Sequence, residues 1–241
     1  MHRFFLEALP EGATALLGGE EARHLRDVRR VCVGECVVLF DGRGGSLEGV
    51  VEDLDRNGAR IRIEARRPSA PPPTPRVILA TAVPKGDRWD WLLEKATEAG
   101  ADEIRPVLFA RGVARPDGTK RAKWERIARE ACKQCGRNVL PEIGDPVGFS
   151  EAIESLKAAS PTRFWADPAP DAEPVAKAFR AAGAPLACAV LIGPEGGLER
   201  HESEACAAAG FRRVSLGPNV LRIETAALAA IVAIRTAAEG G

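Results

Sequence analysis

The sequence predicts an α/β protein with a small β-rich amino-terminal domain and a larger domain built on a parallel sheet. Three observations lead to this prediction. Residues 68–75 contain five prolines, which cannot continue a helix or a central strand. Short apolar runs separated by turn dipeptides come before them, and apolar runs alternating with helix-length amphipathic stretches come after them. We therefore divide the chain into a domain of residues 1–67, a linker of residues 68–75 and a domain of residues 76–241.

The small domain is predicted to be mostly β. Strands are expected at 3–6, 36–40, 46–51 and 59–65, with a short helix at 20–28. Asp41-Gly42 and Asn57-Gly58 are strong hairpin signals between the later strands. About five short strands in this length suggest a small barrel.

The large domain is predicted to alternate strands and helices. Strands are expected at 77–83, 103–109, 162–166, 189–192 and 213–216. Helices are expected after the first strand as far as Gly100, and at 119–135, 152–158, 172–182, 199–209 and 222–238. This alternation is typical of a parallel sheet with helices on both faces.

The composition is that of a folded protein without a membrane segment. The chain has 241 residues, of which 45% are hydrophobic and 28% charged, enough for a sizeable core. No apolar run reaches the length of a membrane span, and the first twelve residues lack the apolar centre of a secretory signal. We therefore expect a cytoplasmic protein with no membrane partner.

Six cysteines include two closely spaced pairs, Cys32 with Cys36 and Cys132 with Cys135. Such pairs are a possible zinc site. However, the first pair lies at a strand entry and the second on a predicted helix, without the glycines of a zinc knuckle. We predict no metal, and we interpret the cysteines as free thiols that act as small buried hydrophobic residues.

Two glycine loops organise the large domain. Residues 193–197 read GPEGG after an apolar strand, and residues 217–219 read GPN after the next strand along the chain. A repeated strand, glycine loop and helix predicts a ligand site at the ends of neighbouring parallel strands. The loops match neither GxGxxG nor GxxxxGK[ST], so the common phosphate fingerprints are absent. Ile192, Leu216 and Leu221 offer an apolar slot for a base, although such loops also serve only to turn a chain.

Residues 192–197 (IGPEGG) and 215–226 (SLGPNVLRIETA) resemble the carboxyl-terminal signature of the RsmE family. These proteins are 16S ribosomal RNA uridine-N3 methyltransferases of the SPOUT superfamily. Residues 84–87, 94–98, 134–137, 1–4 and 41–44 also resemble family segments. Ala99, Asn219 and Ile223 depart from the family pattern, and Asn219 stands where a positive charge is usual.

The resemblance implies a PUA-like RNA-binding barrel at residues 1–67 and a SPOUT methyltransferase domain with a carboxyl-terminal trefoil knot. It implies S-adenosylmethionine as cofactor, ribosomal RNA or the small ribosomal subunit as partner, and a homodimer with the site near its interface. The cofactor-binding residues that we predict on this basis are Ile192, Gly193, Pro194, Glu195, Gly196, Gly197, Leu216, Gly217, Leu221, Arg222, Thr225 and Ala226.

Methylation at uridine N3 requires removal of a proton or stabilisation of the resulting anion. We predict that Arg222 and Glu224 are the catalytic residues. Arg222 neutralises the anion, and Glu224 either accepts the proton or caps the last helix. Thr225 suits either of these two roles.

Positive charge predicts where RNA binds. The chain is neutral overall, but residues 76–141 carry 14 Lys/Arg against 9 Asp/Glu. We predict two separate RNA-binding surfaces. The small domain contributes Arg3, His24, Arg26, Arg30 and Arg43, and the large domain contributes Lys85, Arg111 and Arg137.

Two other functions remain open from the sequence. A non-catalytic RNA-binding or ribosome-assembly factor fits the barrel and the basic stretch equally well. A carbon-5 pyrimidine methyltransferase needs a reactive cysteine beside a base, and no cysteine here lies in a proline–cysteine loop. Leu228, Ile231, Val232 and Ile234 also place apolar surface on more than one face of the last helix, which favours a homodimer.

Overall fold

The computed structural model describes residues 1–69, 73–116, 119–183 and 185–240, which fall into two compact units. Unit one comprises Met1–Pro72 and Arg129–Leu140. Unit two comprises Pro73–Ala128 and Pro141–Gly241. Within the predicted linker, residues 70–72 lie outside the described residues.

Unit one is built on a five-stranded sheet with the strand order β1-β3-β4-β5-β2. Its strands are β1 (His2–Phe5), β2 (Thr14–Gly18), β3 (Cys36–Phe40), β4 (Ser46–Leu54) and β5 (Gly58–Arg67). Both predicted hairpins are confirmed, because β4 pairs in antiparallel fashion with β3 and with β5. Strand β2 was not predicted. Only two of its five residues, Ala15 and Leu17, are buried, so its apolar signal is weak.

The single helix predicted at 20–28 is instead α1 (Gly19–Arg23) followed by a π-helical turn (His24–Val28). The π-helical segment ends in a left-handed turn, in which Val31 N donates to Leu25 O at 3.1 Å. Arg30 occupies the left-handed position of that turn, with φ of 53°. Glycine usually fills such a position, because a Cβ atom is strained there.

Unit one also contains a distant segment of the chain. Helix α3 (Arg121–Cys135) contributes its residues from Arg129 onward, and residues 136–140 follow. Leu140 N donates to Gly42 O at 2.9 Å, and Gly44 N donates to Asn138 O at 3.0 Å. The buried Lys133 forms ion pairs with Glu21 and Glu130. This segment therefore packs with the amino-terminal sheet rather than with the carboxyl-terminal residues.

Unit two confirms the predicted α/β class. Its strands are all parallel and are ordered β11-β13-β10-β12-β6-β7-β8, with β9 also paired to β7. They comprise β6 (Arg76–Ala82), β7 (Glu103–Leu108), β8 (Glu142–Ile143), β9 (Val147–Gly148), β10 (Thr162–Ala166), β11 (Glu173–Pro174), β12 (Ala187–Ile192) and β13 (Arg212–Ser215). The central strands β6 and β12 are buried along nearly their whole length, as expected when helices cover both faces.

The helices of unit two lie close to their predicted positions. Besides the first part of α3, they are α2 (Arg88–Ala99), α4 (Phe149–Ala159), α5 (Val175–Ala181), α6 (Arg200–Ala208) and α7 (Ile223–Glu239). Helix α2 ends at Gly100 as predicted, in the left-handed conformation. Helix α5 is shorter than predicted, because residues 173–174 form β11. Among the described residues, no helix is both long and apolar enough to cross a bilayer.

The sheet order differs from the predicted one in the region that carries the glycine loops. Strands β12 and β13 were expected to be neighbours. Instead β10 lies between them and pairs with both in parallel. The carboxyl ends of β10, β12 and β13 therefore lie side by side at one edge of the sheet, where parallel sheets of this class bind ligands.

Candidate functional site

A cavity of about 410 Å³ opens at this edge of the sheet. That volume lies within the usual range for small-molecule sites. Its walls are formed by Arg111, Trp165, Ala166, Asp167, Pro168, Ile192, Gly193, Pro194, Glu195, Gly196, Gly197, Leu198, Ser203, Leu216, Gly217, Asn219, Val220, Leu221, Ile223 and Ala226. The walls are thus mostly apolar side chains and glycine backbone, with a few polar groups.

The first wall is the loop after β12. Gly197 N donates to Pro194 O at 2.9 Å, and Gly197 has φ of 70°, so a tight turn closes the loop. Helix α6 follows, and Glu199 and Glu202 form a capping box at its amino terminus. The loop is therefore held at both ends.

Glu202 also joins this wall to the loop after β7. Its buried carboxylate accepts hydrogen bonds from Glu199 N at 2.8 Å and from Ala110 N at 2.9 Å. Arg111 then lies over the cavity loop, and its Nη1 donates to Gly196 O at 2.8 Å. One buried carboxylate thus fixes the position of a cationic wall residue.

The second wall is the loop after β13. Gly217 N donates to Ser215 Oγ at 3.2 Å, and Gly217 adopts φ of 132°. Residues with a side chain rarely adopt this backbone conformation, so the geometry of the loop favours glycine at position 217. Helix α7 begins at Ile223, with Arg222 as its extended N-cap residue.

The third wall was missed by sequence analysis. Trp165, Ala166, Asp167 and Pro168 line the cavity because β10 ends between the two glycine loops. Asp167 N donates to Val214 O at 2.9 Å, and Asp167 Oδ1 accepts from Ala169 N at 2.8 Å. The strand itself was predicted, but its place in the sheet depends on pairing between distant segments.

Most of the predicted cofactor-binding residues meet at this cavity. The exceptions are Arg222 and Thr225, which are exposed and do not line it. Arg222 lies between Leu221 and Ile223, which do line it. Within the described part of the chain, Arg222 forms no ion pair.

Glu224, the other predicted catalytic residue, does not line the cavity either. It is 8% exposed, and its Oε1 lies 3.6 Å from Nη1 of Arg88, a residue that the sequence analysis did not single out. The same Nη1 lies 3.3 Å from Oε1 of Glu195 in the cavity loop. Glu224 Oε2 is buried and has no hydrogen-bond partner among the described residues.

The predicted RNA-binding residues of the small domain lie in unit one. Arg30 follows the π-helical segment, and Arg43 lies in the connection between β3 and β4. Arg26 donates to Asp27, which raises the pKa of Arg26, and His24 accepts a hydrogen bond from Arg29. Burial lowers the pKa of Arg3, whose guanidinium lies 5.0 Å from the centre of the Phe40 ring.

The residues predicted for the second RNA-binding surface are divided between the two units. Arg137 lies in unit one, where Arg3 Nη2 donates to its carbonyl oxygen at 3.4 Å. Lys85 is exposed in the loop after β6, and Arg111 lines the cavity. The basic stretch of residues 111–137 is therefore divided between the two units.

The cysteines do not support nucleophilic catalysis at this cavity. None of the six lines it, and among the described residues no group of three or more His, Cys, Asp or Glu side chains is arranged to hold a metal ion. Cys132, Cys188 and Cys206 are buried, as expected. Cys32, Cys36 and Cys135 are exposed, so the interpretation as buried hydrophobic residues is wrong for them.

This difference predicts thiol reactivity. Burial raises the pKa of Cys132, Cys188 and Cys206 to about 12, so these thiols stay protonated at neutral pH, and the thiolate is the reactive form. We expect three thiols of the native protein to react with a disulfide reagent at pH 8, and all six after denaturation. Rapid reaction of more than three thiols in the folded protein would contradict the assigned burial.

Comparison with known proteins agrees with both the site and the fold. Residues 71–235 match the family model of an RNA methyltransferase domain, and residues 17–64 match that of an RNA methyltransferase PUA domain. The ribosomal RNA small subunit methyltransferase E of Mycobacterium bovis is 36% identical over 240 residues, covering 96% of this chain and 90% of its own length. The chain belongs to the ribosomal RNA small subunit methyltransferase E family.

Solved structures support this family assignment. The ribosomal RNA small subunit methyltransferase E of Neisseria gonorrhoeae, bound to S-adenosyl methionine, superposes with a TM-score of 0.86 at 33% identity, covering 98% of this chain and 97% of its own. A putative methyltransferase of Legionella pneumophila in complex with the same cofactor gives 0.84 at 30% identity, with 98% and 97% coverage. The predicted methyltransferase E family, its PUA domain and its α/β class are confirmed.

Proposed function

We propose that this chain transfers a methyl group from S-adenosylmethionine to N3 of a uridine in 16S ribosomal RNA. The observation that carries the proposal is the cavity formed by the GPEGG loop and the loop of residues 216–221, in a member of this family. A non-catalytic RNA-binding or ribosome-assembly factor would not need a small-molecule cavity at these loops. The relevant partner is ribosomal RNA or the small ribosomal subunit, and we expect a cytoplasmic protein.

The residues present fit this cofactor. Leu216, Leu221 and Ile192 provide apolar surface for the adenine ring, and the glycine backbone admits close approach to the ribose and methionine parts. Trp165 and Asp167 add an aromatic and an anionic group that the sequence analysis did not include. Arg222 and Thr225 remain proposed cofactor neighbours at the start of α7, outside the cavity lining.

The cofactor supplies an electrophilic methyl group on a sulfonium, so the chain must supply position and charge control. Arg222 is exposed beside the cavity and is free to neutralise the uridine imide anion. Glu224 is proposed either to accept the N3 proton or to stabilise the amino terminus of α7, and its buried Oε2 outside the cavity lining favours the second role. When N3 bonds to the methyl carbon, the carbon–sulfur bond breaks and its electron pair stays on sulfur.

RNA binding is proposed to use Arg3, His24, Arg26, Arg30, Arg43 and Arg137 of unit one together with Lys85 and Arg111 of unit two. Arg137 O accepts from Arg3, and Arg43 forms an antiparallel bridge with Val139. The first surface is therefore made from two distant parts of the chain. Deleting residues 1–67 would strip residues 129–140 of their packing, so single substitutions test this proposal better.

Substitution of Arg30 tests RNA binding with a variant that is expected to be at least as stable as the unmodified protein. Replacing Arg30 by Gly relieves a left-handed residue and should raise stability by about 0.5–1 kcal/mol. We expect Arg30→Gly to melt at a higher temperature while binding a ribosomal RNA fragment more weakly and with a shallower salt dependence. Fluorescence anisotropy over a salt series measures this effect.

The neighbouring Arg29 is a control for strain relief only, because its Nε donates to His24, a residue proposed to bind RNA. Its φ is −83°, so Arg29→Gly relieves no strain and should lower the melting temperature. Unchanged RNA affinity and salt slope in Arg30→Gly would contradict the assigned contact.

We propose that the protein is a homodimer that uses the exposed face of α7. Ile231 and Ile234 are buried within the chain, but Val232 is 50% exposed, and Trp91 is exposed on α2, which packs against α7. Light scattering at micromolar concentration should give about twice the chain mass of 25.7 kDa. Val232→Glu should give the single-chain mass.

Leu186→Glu, at a residue that is 81% exposed, is the control and should stay dimeric. A single-chain mass for the unmodified protein would contradict the dimer.

Two features that the resemblance implies remain proposals. The first is the carboxyl-terminal trefoil knot. The second is the set of domain boundaries, with an RNA-binding domain at residues 1–67, a linker at 68–75 and a methyltransferase domain at 76–241. Limited proteolysis tests the boundaries, because an exposed linker is cut first.

The experiment that tests the function compares nucleosides of small-subunit ribosomal RNA from cells with and without this chain. Digestion followed by mass spectrometry should show 3-methyluridine only when the chain is present. Equal amounts in both samples would refute the proposal.

A further inference from the structure

The charged groups around the cavity are unbalanced. Among the described residues, the charged side chains that line it are Arg111, Asp167 and Glu195. Arg111 is partly neutralised by Glu199, since Arg111 Nε lies 3.8 Å from Glu199 Oε1. Two carboxylates and one already paired guanidinium therefore face the ligand space.

Arg88 does not fully neutralise the charge of Glu195. Its Nη1 is shared between two carboxylates, since it lies 3.3 Å from Glu195 Oε1 and 3.6 Å from Glu224 Oε1. The buried Oε2 of Glu224 still has no hydrogen-bond partner among the described residues, so this cluster lacks positive charge and donors. The lining residues, their ion-pair partners and Glu224 thus comprise four carboxylates and two guanidinium groups, and the exposed Arg222 beside the cavity adds a third guanidinium.

The topology explains why these groups meet. Strand β6 pairs with β12 in parallel, with Thr81 opposite Ile192, so the loops after the two strands begin side by side. Arg88 opens α2 after the first loop, and Glu195 lies in the second. Helix α7, which carries Glu224 in its first turn, packs against α2. The guanidinium of Arg88 on α2 thereby links the loop after β12 and the first turn of α7.

We propose that this negative wall discriminates by charge between the methyl donor and its demethylated product, with Glu195 as the main determinant and Arg88 as the residue that moderates it. The inference rests on the proposed cofactor. S-Adenosylmethionine carries a carboxylate, an ammonium and a sulfonium, and so has one net positive charge. S-Adenosylhomocysteine has a neutral thioether and no net charge. A negative wall therefore binds the donor more tightly and favours release of the product.

The two residues predict effects of opposite sign. Glu195→Gln removes a negative charge from the wall and should lower the preference for donor over product by about three- to tenfold. Arg88→Met removes the positive charge that masks Glu195 and Glu224, so it should raise that preference. A role limited to holding the loop in place would weaken both ligands together and leave their ratio unchanged.

Arg121 is the matched control for Arg88. It opens α3 in the same unit as Arg88 and also bridges two carboxylates, with Nε at 3.0 Å from Glu125 Oε1 and Nη1 at 3.2 Å from Asp145 Oδ2. It does not line the cavity. Arg121→Met should lose a comparable ion pair and leave the ligand ratio unchanged.

The experiment is calorimetric titration of the full-length protein and its variants with S-adenosylmethionine and S-adenosylhomocysteine, at low and high salt. The preference should fall in Glu195→Gln and Asp167→Asn, rise in Arg88→Met, stay constant in Arg121→Met and shrink as salt is added. A ratio that is unchanged in Glu195→Gln and Arg88→Met, or that shifts in the same direction in both, overturns the inference while leaving the cofactor site in place. Failure of the unmodified protein to bind either ligand overturns the proposed function itself.

Discussion

Gly196→Val should fold normally and lose S-adenosylmethionine binding by about a hundredfold or more, which corresponds to ~2.7 kcal/mol. Gly196 has an ordinary φ, and a Cβ atom built on it meets the Arg111 Cβ and Cδ atoms at 3.4 Å, a normal contact. The fold therefore tolerates the first carbon. The valine methyl groups then occupy the cavity wall between the loop and Arg111, where the backbone must approach the ligand.

Calorimetric titration with the cofactor measures the loss, and thermal melting confirms that the variant is folded. Gly12→Val is the control, since Gly12 has no atom within 4 Å of its built Cβ and lies in unit one. It should bind the cofactor as the unmodified protein does. A folded Gly196→Val protein with unchanged affinity would place the cofactor at another site.

Arg222→Met should lower the rate constant of methyl transfer by about 10²–10³-fold while changing cofactor affinity little. The exposed guanidinium lies beside the cavity rather than in its lining, so its removal leaves the walls intact. The charge that it offers matters when N3 loses its proton and the uridine imide becomes anionic, which happens before or as N3 attacks the methyl carbon. Single-turnover transfer at saturating cofactor and RNA measures this step separately from binding.

Arg200→Met is the matched control for Arg222. Arg200 is also an exposed arginine at the start of a helix beside the cavity loop, with a side chain that is 91% exposed, and it pairs with Glu204. Its replacement should leave the transfer rate unchanged. An equal loss in both variants, or a loss in Arg222→Met that appears only as weaker RNA binding, would exclude charge stabilisation by Arg222.

The features that the sequence predicted well are those set by neighbouring residues. Glycine ends α2 at Gly100, and the Asp-Gly and Asn-Gly dipeptides turn the chain between β3, β4 and β5. Glycine also takes the positive-φ positions of both cavity loops, at Gly197 and Gly217. In each case the conformation depends on local backbone preference, which a single sequence carries.

The features that the sequence analysis missed depend on partners distant in the chain. β10 lies between β12 and β13 because of sheet pairing, and this brings Trp165 and Asp167 into the site. Glu202 positions the loop of Arg111 through Ala110 N, which lies 92 residues earlier. Residues 129–140 join unit one through hydrogen bonds to the β3–β4 hairpin. None of these contacts produces a periodic or compositional signal.

The predicted roles of Arg222 and Glu224 illustrate the same limit. The position of both near the last glycine loop was predicted from the chain order. Whether a side chain lines the cavity depends on how α7 turns against α2, and that places Glu224 against Arg88 instead. The ion pair between Arg88 and Glu224 emerges only from this packing.

The central claim is that the cavity at the ends of β10, β12 and β13 delivers a methyl group to uridine N3. The most direct test incubates the purified protein with unmethylated small ribosomal subunits and S-adenosylmethionine that carries a trideuterated methyl group, followed by nucleoside mass spectrometry. The account predicts trideuterated 3-methyluridine with the unmodified protein and almost none with Gly196→Val. Label on a ribose oxygen or on C5 of a pyrimidine, or equal labelling by Gly196→Val, would contradict it.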